Sequence, residues 1–366
     1  MCIRQKILKL SVLTAAVYIA ACLVIFPKRC ITAAVRALVL CAEAVVPTLF
    51  PFFVCSSLFI SLGLARIASR RLGGLMRPVF RVGGAGAVAV VLGVLSGYPV
   101  GAKCAADLYT RHKLSRTEAE CLLAFCNNSG PMFVIGTVGS VMLGSPAVGI
   151  ALYAVHVLSS LLTGVIYARI RRSDNTADAL ICPANEDDES IFSAVGAAIS
   201  GASLTILKVC GFVVFFAVVG ASIPDFSGYA YIMSCLEITS GIKSLTALGM
   251  SASVTLPLIS FFLALSGLSV LLQVGAVISN TDLSIKPYII GKCIQSVIAF
   301  FSAAGMCAVP GVTAWLGAAQ SVPASAFGDY AGMWRLSASI EACARCAVLI
   351  LAAALIISLS PRKRGS

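Results

Sequence analysis

The sequence predicts an all-α polytopic membrane protein with about eight transmembrane helices and two re-entrant hairpins, arranged as an inverted-topology repeat. Three observations support this fold class. Hydrophobic residues make up 59% of the 366 residues and charged residues only 11%. Several apolar runs approach the ~20 residues that cross a bilayer as a helix. Gly, Pro, Ser or Asn residues interrupt the apolar runs in both halves of the chain, and helices broken at that depth are typical of secondary transporters.

The composition also excludes several classes of function. The formal net charge is +12, but the basic residues cluster between apolar runs, where the orientation of the chain explains them. No nucleic-acid partner is therefore expected. The 15 cysteines are scattered without a CxxC motif and there are two histidines, His112 and His156, so neither a metal site nor a cofactor is expected. No Walker motif or catalytic-triad signature is present, which predicts gradient-driven transport and no enzyme activity.

Residues 1–44 are predicted to form an N-terminal span and an amphipathic segment. Arg4, Lys6 and Lys9 lie at the start of an apolar run that ends near residue 26. Pro-Lys-Arg follows that run, in place of the small-residue cleavage site of a signal peptide. The pattern predicts an uncleaved first span with a cytoplasmic N-terminus.

Residues 45–170 are interpreted as a first repeat of span, hairpin, broken span and span. A basic loop at residues 66–81 follows the first of these spans and is expected in the cytoplasm. The stretch at residues 96–101 (Ser-Gly-Tyr-Pro-Val-Gly) then interrupts an apolar segment whose two ends are both flanked by basic residues. This arrangement predicts a re-entrant hairpin with its turn inside the membrane. One full span is the alternative.

The stretch Asn127-Asn128-Ser129-Gly130-Pro131 lies between two apolar segments of residues 117–143. In a helix, Pro131 lacks an N–H group and clashes with the carbonyl of Asn127, and Gly130 relaxes the backbone. We therefore predict a helix broken near the bilayer midplane. The alternative is a proline kink in an ordinary packing helix.

The remaining chain is divided into a linker, a second repeat and a C-terminal part. Residues 171–203 are predicted to form an acidic cytoplasmic linker and an interfacial helix. Residues 204–309 repeat the plan, with a hairpin around residues 237–243 and a broken span around residues 265–269. Residues 310–366 are predicted to form an external loop, a last span and a basic cytoplasmic C-terminus. Glu341 and Arg345 are spaced to pair on that last span.

The two halves correspond in their layout. Ser129-Gly130 of the first broken span corresponds to Ser266-Gly267 of the second, and Ser96-Gly97 of the first hairpin corresponds to Ser240-Gly241 of the second. Counting the crossings puts the first hairpin on the cytoplasmic side and the second on the outer side. In such inverted repeats the binding site lies between the broken elements, near the midplane.

Two lysines next to the hairpin turns are the charged candidates for substrate binding. Lys103 and Lys243 hold matching positions, and two ammonium groups there could neutralise a dicarboxylate. The alternative is that each lysine snorkels to an interface, and Asp107 is spaced to pair with Lys103. Lys208 and Lys292, within later spans, rank below them.

Neutral side chains at the same interruptions offer hydrogen bonds, although any of them could instead hold helices together. Glu237 is the main candidate for binding a coupling proton or cation, unless it pairs with Lys243. The coupling-ion candidates are Glu237, Asn127 and Gln273. The candidate substrate-binding residues are Ser96, Gly97, Tyr98, Lys103, Asn127, Asn128, Ser129, Gly130, Thr239, Ser240, Lys243, Ser266, Gly267 and Ser269.

The stretches at residues 96–103 and 125–131 together resemble those of the YlbJ-like sporulation integral membrane proteins, and the resemblance covers most of the chain. This family carries the nucleoside-recognition Gate domain also seen in concentrative nucleoside transporters. The resemblance therefore implies their scaffold of two hairpins and two broken helices. It also implies a role in stage V sporulation, in which dipicolinate moves from the mother cell across the outer forespore membrane.

The chain departs from nucleoside transporters at the second hairpin, where Glu237-Ile238-Thr239-Ser240-Gly241 is only partly similar to their Gln-Thr-Glu type of tip. An anion, dipicolinate, is therefore the expected cargo. A nucleoside permease and a non-transporting membrane scaffold needed for spore maturation are the alternatives. The expected partners are this small molecule, the lipid bilayer, a coupling H⁺ or Na⁺ and, in a homo-oligomer, further copies of the chain.

Overall fold

The computed structural model describes residues 3–62, 64–171, 191–224 and 226–309, and the regular elements in these ranges are all helices. This agrees with the predicted all-α membrane class. The helices are α1 (Ile3–Ile25), α2 (Pro27–Leu40), a first π-helical segment (Cys41–Val45), α3 (Val46–Ser61), α4 (Leu64–Phe80), α5 (Gly86–Ser96), α6 (Val100–Thr110), α7 (Arg116–Leu123), a second π-helical segment (Met132–Met142), α8 (Pro146–Ile170), α9 (Ile191–Ser222), α10 (Tyr229–Leu236), α11 (Ile238–Thr246), α12 (Ala252–Leu265), α13 (Gly267–Ile278) and α14 (Lys286–Ala308).

Four of the described segments are long and apolar enough to cross a membrane, namely α8, α9, the pair α12–α13 and α14. A fifth results if the bent pair Ala16–Ile25 and Pro27–Glu43, with an angle of 107° between its halves, forms one span. These segments support a polytopic membrane protein, and the count of about eight spans stays a prediction. The acidic part of the linker, the external loop, the last span and its Glu341–Arg345 pair lie outside the described residues.

Two predicted elements are wrong in detail. The basic stretch at residues 66–81 is not a loop but most of α4. Its apolar residues recur at helical spacing, so that Met76 and Phe80 are buried while the arginines around them are exposed. The predicted interfacial helix before residue 204 is not separate either, because α9 continues unbroken over 32 residues. A helix of that length spans about 48 Å, more than the ~30 Å hydrocarbon core.

Both predicted hairpins are pairs of helices that fold back on each other. In the first, a Cβ atom built on Gly93 of α5 would lie 3.0 Å from the Cα atom of Gly101 of α6. This proximity excludes one continuous span. In the second, Glu237 alone separates α10 from α11, and a Cβ atom on Gly241 would overlap the Cα atom of Ser234. Glycine is needed where two backbones come this close.

Both predicted breaks are also present. Helix α7 ends at Leu123, and helical backbone resumes at Met132, after the Asn-Asn-Ser-Gly-Pro stretch. An ordinary proline kink is thereby excluded. Between α12 and α13, Ser266 adopts a left-handed conformation with φ of +68°. A left-handed residue stops the α12 hydrogen-bond ladder and lets a new helix begin.

Charged side chains join several elements at one end of the molecule. Glu120 of α7 contacts Arg116 (Nε–Oε1 3.0 Å) and Arg171 (Nη2–Oε2 3.7 Å), and it accepts a hydrogen bond from the backbone N–H of Ser284 (2.9 Å). Arg116 also pairs with Asp282 at 3.2 Å. The start of α7, the end of α8 and the segment before α14 therefore lie at the same end.

Candidate functional site

A cavity of about 240 Å³ lies where the two hairpins and the two breaks meet. Apolar side chains of α3 and α9, including Leu49, Phe52 and Val213, close it on one side. Eight of the predicted site residues line it: Ser96, Gly97, Tyr98, Gly130, Glu237, Thr239, Ser269 and Gln273. The interrupted elements thus meet around one space. We call this space the central cavity.

The turn of the first hairpin lies directly against the first break. Gly97 has φ of +88°, and a Cβ atom there would lie 2.7 Å from the backbone nitrogen of Gly130, so both conformation and space require glycine. The hydroxyl groups of Tyr98 and Ser129 are hydrogen bonded to each other. The side-chain oxygen of Asn127 accepts a hydrogen bond from the backbone N–H of Ala102 at 3.4 Å. Any movement of this turn therefore involves the break.

The second break lies against the second hairpin in a similar way. A Cβ atom on Gly267, which also has positive φ (+68°), would lie 3.2 Å from the carbonyl oxygen of Cys235. The buried side chain of Ser266 lies beside the hydroxyl groups of Tyr98 and Tyr288. The first hairpin, the second break and α14 therefore meet at Ser266.

Glu237 lines the central cavity and caps α11. Its two carboxylate oxygens accept hydrogen bonds from the backbone N–H groups of Thr239 (2.9 Å) and Ser240 (2.8 Å), and 6% of the residue is exposed. A carboxylate is favoured at a helix N-terminus because the helix dipole is positive there. The described residues show no ion pair between Glu237 and Lys243, so that alternative does not hold.

A buried polar network holds the first break from behind the cavity wall. The side-chain amide of Asn128 donates to the carbonyl oxygen of Phe125 and to the hydroxyl of Ser160, both at 2.9 Å. The side-chain oxygen of Asn128 accepts a hydrogen bond from Gln295 of α14 at 3.1 Å. Because buried polar groups are costly when unpaired, these bonds stabilise the non-helical backbone here.

His156 of α8 belongs to the same network. Its Nε2 atom accepts a hydrogen bond from the backbone N–H of Ser129 at 3.0 Å, so the ring proton lies on Nδ1. Its carbonyl oxygen accepts a hydrogen bond from Gln295 at 3.3 Å. The Nδ1 atom has no hydrogen-bond partner among the described residues. His156 therefore positions the break and retains one unused donor.

Lys292 of α14 is the most deeply buried lysine of the described residues, with 2% of its surface exposed. Its Nζ atom donates to the side-chain oxygen of Gln295 at 2.8 Å and lies 5.8 Å from the centre of the Tyr288 ring. The ion pairs of the described residues do not include it. An ionisable group buried in this way in a membrane protein is costly and is usually functional.

The structure does not bring the two hairpin lysines together. Lys103 pairs with Asp107 (Nζ–Oδ2 2.6 Å), as its spacing allowed. Lys243 is exposed, because α11 buries the opposite face, which carries Ile242 and Leu245. The matching position in sequence therefore does not place Lys243 at the central cavity.

A second cavity of about 210 Å³ lies on the other side of the first hairpin turn. Lys103, Asp107 and Lys208 line it, together with Gln273, which also lines the central cavity. The side-chain amide of Gln273 donates to the hydroxyl of Ser269 at 3.4 Å. The two cavities therefore share one polar side chain as part of their boundary.

Lys292, which ranks below the hairpin lysines in sequence, lies among polar residues that were not predicted as site residues, namely His156, Ser160, Tyr288 and Gln295. Two spacings in the sequence could have indicated these residues. Lys292 lies three residues before Gln295 in one mainly apolar run, and His156 lies four residues before Ser160 in another. Both spacings put the two side chains on one helix face. Within the described ranges, no group of three or more His, Cys, Asp or Glu side chains could hold a metal ion.

The fold and the site together define an integral membrane protein whose interrupted helices surround a cavity with both apolar and polar side chains in its wall. The chain is 30% identical over 333 residues to the sporulation integral membrane protein YlbJ of Bacillus subtilis (strain 168). The aligned region covers 81% of this chain and 82% of that relative. The chain therefore belongs to the YlbJ family of sporulation integral membrane proteins. A scan of protein-family models finds no match, and no solved structure matches either.

Proposed function

We propose that this protein is a secondary transporter of a small organic anion, dipicolinate, across the outer forespore membrane during sporulation. The observation that carries the proposal is the central cavity, enclosed by two fold-back helix pairs and two broken helices. Secondary transporters bind their cargo between such discontinuous elements, near the bilayer midplane. Membership of the YlbJ family supports the link to sporulation. The inverted repeat and the cytoplasmic position of both termini are parts of the same proposal.

Helix N-termini supply the positive potential that an anion needs. Four helical segments begin beside the central cavity, at Val100, Met132, Ile238 and Gly267. The free N–H groups and positive dipole end of a helix N-terminus favour anions. Glu237 occupies the N-terminus that begins at Ile238, and the side-chain oxygen of Asn127 accepts a hydrogen bond from Ala102 in the first turn of α6. The N-termini at Met132 and Gly267 are therefore the ones left for the cargo.

The size of the central cavity favours a small solute. Pockets for drug-sized ligands occupy roughly 300–1,000 Å³, whereas this cavity has about 240 Å³. Hydroxyl-bearing residues that could donate hydrogen bonds to carboxylate oxygens are part of its lining, namely Ser96, Tyr98, Thr137, Thr239 and Ser269. A compact dicarboxylate is such a small solute.

A nucleoside permease is the second candidate, and Glu237 is the observation that favours it. A carboxylate in the cavity wall repels an anion but accepts hydrogen bonds from ribose hydroxyl groups.

The experiment that separates the candidates is uptake of labelled dipicolinate and of labelled uridine into proteoliposomes that contain the purified full-length chain. Saturable dipicolinate uptake that is absent from protein-free liposomes supports the proposal. Uptake of uridine alone indicates the permease, and uptake of neither indicates a non-transporting scaffold.

A further inference from the structure

Lys292 is a buried ionisable group to which the proposed transport function assigns no role. It lies on α14 among neutral hydrogen-bond partners, and the elements packed against α14 present few titratable groups to it. These are His156 from α8 and Cys126 after α7, while Tyr288 lies on α14 itself. The sequence of α12, which packs most extensively against α14, contains no titratable residue.

A short chain of side chains connects Lys292 to the wall of the central cavity. The Nζ atom of Lys292 donates to Gln295, and the amide of Gln295 donates to Asn128 within the first break. The next residue, Ser129, shares a hydrogen bond with Tyr98, which lines the cavity. A change of charge at Lys292 therefore acts on the residues that shape the cavity.

We propose that Lys292 binds the proton that is transported together with the anion. This inference rests on the proposed anion transport. The lone pair of the neutral amine takes a proton from a hydronium ion, which gives an ammonium group and water, and the ammonium group returns the proton to water after the anion has left. A positive charge behind the break favours anion binding, and by linkage the bound anion favours the protonated lysine to the same extent.

Glu237, the acidic candidate for the coupling site, already has a structural task. Glu237 uses both carboxylate oxygens to cap α11, and removal of either bond would leave a backbone N–H of a half-buried residue without this partner. Lys292 has no comparable structural task, since Gln295 holds Asn128 and His156 through its own amide group. If the coupling ion is a proton bound at Lys292, transport does not need a coupling metal cation at the first break.

The first test measures proton uptake on binding and needs no transport. Dipicolinate is titrated into the detergent-purified full-length protein by calorimetry, in buffers of equal pH but different ionisation enthalpy. The wild type is expected to take up protons on binding, whereas Lys292→Met, of similar length, and Lys292→Arg, of fixed charge, take up none. The exposed Lys286→Met is the matched control and behaves like the wild type. Unchanged proton uptake in both Lys292 variants overturns the inference.

The second test uses proteoliposomes and separates this inference from the proposed function. Wild-type uptake of dipicolinate is expected to follow an imposed pH gradient, to stay unchanged when choline replaces Na⁺, and to lose its response to the pH gradient in Lys292→Arg. Exchange of dipicolinate without any response to pH, or with a requirement for Na⁺, overturns the inference and leaves anion transport in place. Absence of both binding and exchange in the wild type overturns the two together.

Discussion

At the scale of single residues, Gly97 is constrained both by its backbone conformation and by the space around it. It combines a positive φ with a backbone contact to Gly130, so that a side chain meets both strain and main-chain atoms. Main-chain atoms cannot move aside as the end of a flexible side chain can. The position therefore fixes how closely the first hairpin turn approaches the first break.

We expect Gly97→Ala to destabilise the protein by about 1–3 kcal/mol, the usual cost of a residue held in a disfavoured backbone region. Thermal unfolding in detergent measures this effect and should show a lower midpoint for the variant. Dipicolinate uptake should fall as well. Gly136→Ala is the matched control, because no atom lies within 4 Å of a Cβ built there and its φ is not positive. Equal midpoints for the two variants would contradict the close contact at Gly97.

At the scale of elements, the first hairpin separates the two cavities, and Lys103 and Asp107 of α6 form an ion pair on its outer side. Lys208 of α9 adds a second ammonium group to the same cavity. Two positive charges and one negative charge leave this cavity with an excess of one positive charge. An anion that approaches along the hairpin therefore meets a favourable potential before it reaches the turn.

Lys103→Gln is expected to lower dipicolinate uptake tenfold or more, which corresponds to about 1.4 kcal/mol. Lys103→Arg should restore it only in part, because a planar guanidinium differs from a compact ammonium group. Lys243→Gln, on the exposed face of α11, should match the control Lys286→Gln, at the exposed first residue of α14. The double variant Lys103→Gln/Asp107→Asn decides the role of the lysine. Full recovery of uptake there would show that Lys103 only neutralises Asp107.

The same elements show what the sequence could and could not predict. The breaks at Asn127–Pro131 and Ser266–Gly267 were predictable because glycine and proline act locally on the backbone. The amphipathic helix α4 was not predicted, because its arginines were interpreted as the basic residues of a cytoplasmic loop. Its apolar residues nevertheless recur at helical spacing. The contact between Gln295 and Asn128 joins residues 167 positions apart. No local pattern specifies such a pair, so the network around Lys292 required the structure.

At the scale of the whole molecule, the charged cluster around Glu120 places several segments at one end. The hydroxyl of Tyr109, at the end of the first hairpin, donates to Asp282 at 2.6 Å. Asp282 follows α13, and the second hairpin ends just before α12. The segment Ala252–Ile278 between them is long and apolar enough to cross the membrane. The open ends of the two hairpins therefore lie at opposite ends of this segment, which is what an inverted repeat requires.

The last prediction tests that orientation directly. Short epitopes are inserted after His112, beyond the first hairpin, and after Leu248, beyond the second, since exposed turns tolerate insertions. The first turn carries Arg111, His112 and Lys113, while the second carries no basic residue. The positive-inside rule therefore places the first epitope in the cytoplasm and the second outside.

In intact cells of a non-sporulating host, antibody should reach only the second epitope, and permeabilisation should expose the first. The insertion variants must retain dipicolinate uptake for the comparison to count. If both epitopes are reached from the same side, the hairpins share one orientation, and alternating access between two inverted halves cannot be the transport mechanism.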